Sequence, residues 1–77
     1  MQITVLAFGK VAGITGERML VEGQFNDTDS LQQILQQQFP GLSGIHYSIA
    51  VNKKIIHENN ILSANSTVAL LPPFSGG

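Results

Sequence analysis

The chain has 77 residues, of which 43% are hydrophobic and 12% are charged, and its net charge at pH 7 is −1. This length predicts one domain with a single small core, too small for a deep catalytic cleft of its own. The hydrophobic share excludes disorder, the four Lys and Arg residues exclude a basic nucleic-acid footprint, and the lack of Cys excludes disulfides and thiolate metal sites. The low charged fraction indicates that a partner covers part of the surface.

No segment approaches the roughly 20 apolar residues of a membrane span. Residues 1–4 lack the charged region and long apolar stretch that open a signal peptide. We therefore expect a cytoplasmic protein that binds neither membrane nor nucleic acid.

The first half of the chain predicts two strands followed by one helix. Residues 3–8 are β-prone, and residues 18–25 resume the alternation after a glycine-containing segment, residues 10–17, that predicts a loop. Residues 26–30 supply candidate N-caps for an amphipathic helix, whose apolar residues recur at helical spacing up to Phe39 and whose other face is rich in Gln. Pro40 ends this helix.

The second half predicts three strands. Residues 47–51 form a short apolar strand, the turn at residues 52–54 leads into a strand at residues 55–56, and residues 67–71 form the last strand. The order β-β-α-β-β-β predicts an α+β fold, with a mixed sheet of four to five strands covered on one face by one main helix. This is the ubiquitin-like β-grasp architecture, although the pattern also permits other α+β arrangements.

The last eight residues read Leu-Leu-Pro-Pro-Phe-Ser-Gly-Gly. We expect residues 1–71 to form the β-grasp domain and residues 72–77 to form an extended tail, stiffened by Pro72 and Pro73 where it leaves the domain. Because glycine has no Cβ, Gly76 and Gly77 could enter a narrow active site that excludes larger residues. The tail is therefore suited to handling by another protein, and the alternative is an ordinary frayed terminus.

An apolar surface is predicted on the sheet face opposite the helix, where partners would dock. Large apolar side chains dominate such interfaces, and the candidates here are Phe8, Ile55, Leu71 and Phe74. The alternative is that Phe8 and Leu71 are core residues of central strands.

Neither a metal site nor a nucleotide site is predicted. His46 and His57 are isolated and lack metal-ligand spacing. The segment that contains Gly9, Gly13 and Gly16 lacks the Gly-Lys-Ser ending of a phosphate-binding loop. We expect the chain to bind no metal and no cofactor of its own.

Three segments resemble the small subunit of molybdopterin synthase: residues 3–9, residues 50–52 and residues 68–77. The resemblance covers the whole length in matching order, and its most specific part is the ending Pro-Pro, two residues, Gly-Gly. It implies that an ATP-dependent adenylating enzyme activates the Gly77 carboxylate, which a sulfur donor then converts to a thiocarboxylate. It also implies that the large synthase subunit receives the tail residues Pro72, Pro73, Phe74, Ser75 and Gly76.

In that family the thiocarboxylate donates sulfur to a cyclic pterin precursor to form the molybdopterin dithiolene in molybdenum cofactor biosynthesis. The resemblance implies a heterotetramer in which the partners supply the catalytic groups. This chain would then deliver sulfur to the partner and would not be catalytic alone. ATP would be used by the activating partner. Two alternatives stay open: a sulfur carrier for another pathway, of thiamine or tungsten-pterin type, or a ubiquitin-like binding or conjugation module that carries no sulfur.

Overall fold

A computed structural model describes residues 1–73 of the chain. The elements of this part follow in this order: β1 (Gln2–Ala7), α1 (Gly9–Thr15), β2 (Arg18–Glu22), α2 (Thr28–Gln38), a 3₁₀ helix (Pro40–Gly44), β3 (Ser48–Val51), β4 (Lys54–Ile56) and β5 (Thr67–Leu71). No helix within residues 1–73 is long and apolar enough to cross a membrane.

The strands form one mixed sheet in the order β2-β1-β5-β3-β4. β1 pairs with β2 antiparallel and with β5 parallel, while β3 is antiparallel to both β5 and β4. The last strand therefore closes the centre of the sheet, which confirms the β-grasp prediction.

The core lies between one face of the sheet and helix α2. Alternate residues of β1, namely Ile3, Val5 and Ala7, are buried, and they belong to the same core as Leu31 and Leu35 of α2. Burying each large aliphatic side chain contributes about 1.5–3 kcal/mol. The helix begins where expected, because the Asp27 side chain accepts a hydrogen bond from the Ser30 backbone N–H at 2.9 Å.

The predicted loop at residues 10–17 is wrong, because most of this segment forms helix α1. Glycine is a poor helix former, costing about 1 kcal/mol relative to alanine at each interior position. Burial outweighs this cost, since Val11 is fully buried in the core. Gly16, at φ +92°, then ends the helix in a conformation that side chains disfavour.

The predicted strand at residues 18–25 is too long, because β2 ends at Glu22. Beyond it the chain bends, and Gly23 exchanges two backbone hydrogen bonds with Met1, at 2.9 and 3.1 Å. Phe25 then turns into the core as a buried residue outside the strand. After α2, Pro40 starts a 3₁₀ turn that buries Leu42.

Candidate functional site

The sheet face opposite α2 carries an apolar row that crosses four strands. Leu6 on β1 lies beside Ala69 on β5, Ala69 lies beside Ala50 on β3, and Ala50 lies beside Ile55 on β4. Residues paired in this way project from the same face of a sheet. Because the two central side chains are only methyl groups, the row is concave between Leu6 and Ile55.

Phe8 and Leu71 extend this row into a groove at the end of β1 and β5. The groove has a volume of ≈ 610 Å³ and is lined by Leu6, Phe8, Ala50, Asn52, Lys53, Ile55, Thr67, Ala69 and Leu71, which we call the open-face groove. Phe8 is 47% exposed and Ile55 is 45% exposed. The structure thus brings three of the four predicted interface residues together. The alternative that Phe8 is a core residue is wrong, while Leu71 is half-buried.

The charge of the groove is one-sided. Of the described residues that line the groove, Lys53 carries a charge and none is acidic. An apolar surface with one cation at its edge complements an apolar partner surface that carries an acidic or carbonyl group.

The base of the predicted tail lies at the edge of the groove. Pro72 follows Leu71 directly, is half-buried, and sits against Gly9 at the start of α1. The Phe8 backbone N–H donates to the Leu70 carbonyl at 3.2 Å and fixes β1 against β5 just before this point. Pro73 is exposed.

Four of the predicted site residues lie outside the described residues, and their predicted roles stay predictions: Phe74, Ser75, Gly76 and Gly77.

A second concavity of ≈ 320 Å³ lies beside the start of α2 and is mainly polar. Its backbone donors are already used, because the Asp29 N–H donates to the Asn59 side-chain oxygen at 2.9 Å and the Thr28 N–H donates to the Asn60 carbonyl at 2.9 Å. The Tyr47 hydroxyl nearby is buried and has no hydrogen-bond partner within residues 1–73. Over the same residues no group of three His, Asp or Glu side chains could hold a metal ion. This concavity therefore offers no free helix terminus to an anion.

Two features of the site were not predicted from the sequence: the concave floor of the groove at Ala50 and Ala69, and the contact of Pro72 with Gly9. Strand alternation places Leu6 on the same side as Phe8, but the pairing of Ala50 with Ala69 depends on a register that the sequence does not reveal. The contact between Gly9 and Pro72 joins opposite ends of the chain. The glycine itself was the available signal, because its φ of +59° is a conformation that favours this residue.

Comparison with known proteins assigns the family. The model of the ThiS family matches residues 5–77. A chain from the complex of subunits 1 and 2 of the molybdopterin-converting factor from Helicobacter pylori is 33% identical, with a TM-score of 0.73 and full coverage of both chains. SAMP1 from Haloferax volcanii is 20% identical and also fully covered, with a TM-score of 0.82, and this likeness shows the shared fold.

The family match spans the domain, the open-face groove and the Gly-Gly ending together. The resemblance seen in the sequence is therefore confirmed at the level of the family. The chain belongs to the ThiS family of ubiquitin-like sulfur carriers.

Proposed function

We propose that this chain is the sulfur-carrier subunit of a molybdopterin synthase. The Gly77 carboxyl group is the group that carries the sulfur. The observation that supports the molybdopterin pathway is the full-length likeness, at 33% identity, to a chain of the molybdopterin-converting factor complex. The match to the ThiS family, which extends through Gly77, supports the role of the tail.

The first step is activation, because a free carboxylate is a poor electrophile. In this proposal a Gly77 carboxylate oxygen attacks the α-phosphorus of ATP on an adenylating partner, pyrophosphate leaves, and an acyl-adenylate forms. Hydrosulfide then attacks the acyl carbon, the bond to the AMP oxygen breaks, AMP leaves, and the sulfur loses its proton. The product is a thiocarboxylate at Gly77, and all ATP chemistry takes place on the partner.

The second step is sulfur donation. The thiocarboxylate sulfur attacks an oxygen-bearing carbon of the cyclic pterin precursor on the large subunit, the bond from that carbon to its oxygen breaks, and the oxygen leaves with a proton. The carrier is then joined to the substrate through sulfur. Water then attacks the acyl carbon, the carbon–sulfur bond to Gly77 breaks, and the carboxylate returns. A dithiolene needs two sulfur atoms, so two thiocarboxylated carriers are used for each product.

The open-face groove is the docking site for the large subunit in this proposal. It is apolar and partly exposed, and it adjoins the start of the tail at Leu71 and Pro72. Exposed apolar surfaces of this kind mark interaction sites on small proteins. A partner seated in the groove would hold the domain where the tail begins, which reduces the entropy lost when the tail enters an active site.

Intact-mass spectrometry tests the proposal. The chain is incubated with ATP, hydrosulfide and the adenylating enzyme encoded in the same genome, and a Gly77-deleted form serves as the matched control. We expect the wild-type chain to gain the mass of an oxygen-to-sulfur exchange at Gly77, and the deleted form to gain none. An unchanged wild-type mass contradicts the sulfur-carrier proposal, and an isopeptide to lysine instead supports the conjugation module.

If sulfur is found on Gly77, the pathway is tested by adding the large synthase subunit and the pterin precursor. We expect dithiolene product and return of the carboxylate form. Sulfur transfer only in a reaction mixture for thiazole synthesis would assign the chain to the thiamine pathway instead.

A further inference from the structure

Gly9 and Pro72 are in contact at the point where the predicted tail leaves the domain. A Cβ built on Gly9 would lie 2.9 Å from Cγ and 3.3 Å from Cβ of Pro72, and the first distance is shorter than real Cβ contacts allow. The space that a side chain would fill at Gly9 is therefore occupied by the proline ring.

This contact is rigid on both sides. The Phe8 N–H bonds to the Leu70 carbonyl at 3.2 Å, and the parallel register pairs Ala7 with Leu70, so the two backbones cannot separate freely. The proline ring fixes its own φ near −65°, and the freedom left to it is a change of pucker that moves Cγ. That change leaves Cβ of Pro72 in place at 3.3 Å, so relief of the whole contact requires a shift of the Pro72 backbone, which would redirect the chain at Pro73.

We propose that Gly9 is a positioning residue, whose missing side chain forms the seat that sets the direction in which the tail leaves the domain. The inference rests on the proposed function, in which the tail enters the active sites of partners. Phe8 and Leu71 flank the contact and line the open-face groove. Two adjacent residues thus have separate roles: Phe8 contributes to the docking surface, and Gly9 sets the direction of the tail.

Two other glycines provide matched controls for Gly9→Ala. Gly16 also has a positive φ, +92°, but a Cβ there would meet nothing within 4 Å. Gly16→Ala therefore carries the backbone strain without the clash. Gly13 lies in the same helix as Gly9 and also faces open space, so Gly13→Ala reports the effect of the added methyl group alone.

The first measurement uses the chain alone and does not depend on the proposed function. Wild-type protein is expected to show a ¹H nuclear Overhauser effect between Gly9 Hα and the Pro72 ring. In Gly9→Ala the contact of the Pro72 ring to residue 9 is lost, while those between β1 and β5 remain. Absence of the wild-type contact, or its persistence unchanged in Gly9→Ala, overturns the proposal.

The second measurement separates binding from delivery of the tail. Steady-state adenylation of Gly77 is followed as pyrophosphate release, and kcat and KM are determined separately for each variant. We expect Gly9→Ala to lower kcat by about 10- to 100-fold with KM changed less than about threefold, because displacement by 1 Å at a reacting group costs roughly 10²-fold. Gly13→Ala and Gly16→Ala should match the wild type in kcat.

A double-variant cycle distinguishes a positioning role from a merely structural one. Pro72→Gly removes all three ring atoms that the new Cβ would meet. Once the ring is absent, Gly9→Ala should lower kcat no further than Pro72→Gly does alone. Equal losses from Gly9→Ala in both backgrounds, or equal kcat in Gly9→Ala and Gly16→Ala, overturn the proposal.

Failure of the proposed function would look different. If the wild-type chain is not adenylated, the sulfur-carrier function fails, while the nuclear Overhauser measurement still decides whether Gly9 seats Pro72. If Gly9→Ala does not fold, as judged by its thermal unfolding, Pro72→Gly with native Gly9 tests the same seat from the other side. That variant is expected to fold and to show the lowered kcat, and an unchanged kcat overturns the proposal.

Discussion

Asn52 and Thr67 are joined by two hydrogen bonds. The Asn52 backbone N–H donates to the Thr67 carbonyl at 2.8 Å, and the Asn52 side-chain oxygen accepts from the Thr67 backbone N–H at 2.9 Å. The turn between β3 and β4 is thereby tied to the first residue of β5. Both residues line the open-face groove, so this pair fixes one end of the groove to the central strand of the sheet.

Asn52→Ala is expected to lower the free energy of unfolding by about 1–2 kcal/mol, because it removes the side-chain acceptor and leaves alanine at a φ of 51°. Urea unfolding monitored by circular dichroism measures the change. Asn65→Ala, at an exposed turn residue, is the matched control and should have little effect. Equal stability of the two variants would contradict the role assigned to Asn52.

Lys53→Gly is expected to stabilise the domain by about 0.5–1 kcal/mol. Lys53 has a φ of 72° in a two-residue turn, where Asn-Gly is the preferred pair. Relief of about 1–2 kcal/mol of left-handed strain outweighs the entropy that glycine adds to the unfolded chain. Lys54→Gly, one residue later in β4, should destabilise instead. Denaturation midpoints of the two variants on opposite sides of the wild type would confirm the prediction, and midpoints on the same side would refute it.

Phe8→Ala and Ile55→Ala are expected to weaken binding to the large synthase subunit by about 2 kcal/mol or more each, as central apolar anchors do. Both side chains are nearly half exposed, so the free energy of unfolding should change by less than about 1 kcal/mol. Isothermal titration calorimetry measures the binding. Leu20→Ala is the control, because Leu20 is 61% exposed on β2 but does not line the groove. A loss of binding in Leu20→Ala as large as in Phe8→Ala would argue against the groove as the docking site.

The N-cap of α2 predicts a pH dependence of stability. Hydrogen bonds from the Ser30 side chain and backbone, and then from Asn59, lower the pKa of Asp27 below its ordinary value. A lowered pKa in the folded state adds stability that is fully present above the unfolded pKa of about 3.9 and is lost as pH falls through the folded pKa. Asp27→Asn keeps an N-cap acceptor but cannot titrate.

We therefore expect wild type to be more stable than Asp27→Asn near neutral pH, with the difference shrinking as the pH falls below about 4. Urea unfolding of both proteins across the acidic range measures this difference. A difference that stays constant from neutral to acidic pH would show that the hydrogen bonds to Asp27 do not favour its charged form.

Much of the fold follows from residue patterns that act locally. The β-prone run at residues 3–8 predicts β1, and Pro72 predicts where β5 stops. Helix α1 could not be predicted in this way, because its glycines favour a loop and the burial of Val11 that stabilises it depends on the rest of the fold.

The candidate site shows the same division. Phe8, Ile55 and Leu71 could be selected from the sequence as large apolar residues on strands or at their ends, and they meet in one groove. The concave floor at Ala50 and Ala69 arises from strand register, and the seat at Gly9 arises from a contact between the two ends of the chain. Strand register has no local signal, and a glycine by itself does not show which residue it contacts.

The position of β5 between β1 and β3 determines when the open-face groove can form during folding. β5 follows the other four strands in the chain, and until it inserts, β1 and β3 are separate edges with no partner between them. A sheet without β5 lacks Ala69 and Leu71, and it therefore has no open-face groove. A partner that binds this groove would therefore recognise only domains whose sheet is complete, because the surface exists only when all five strands have paired.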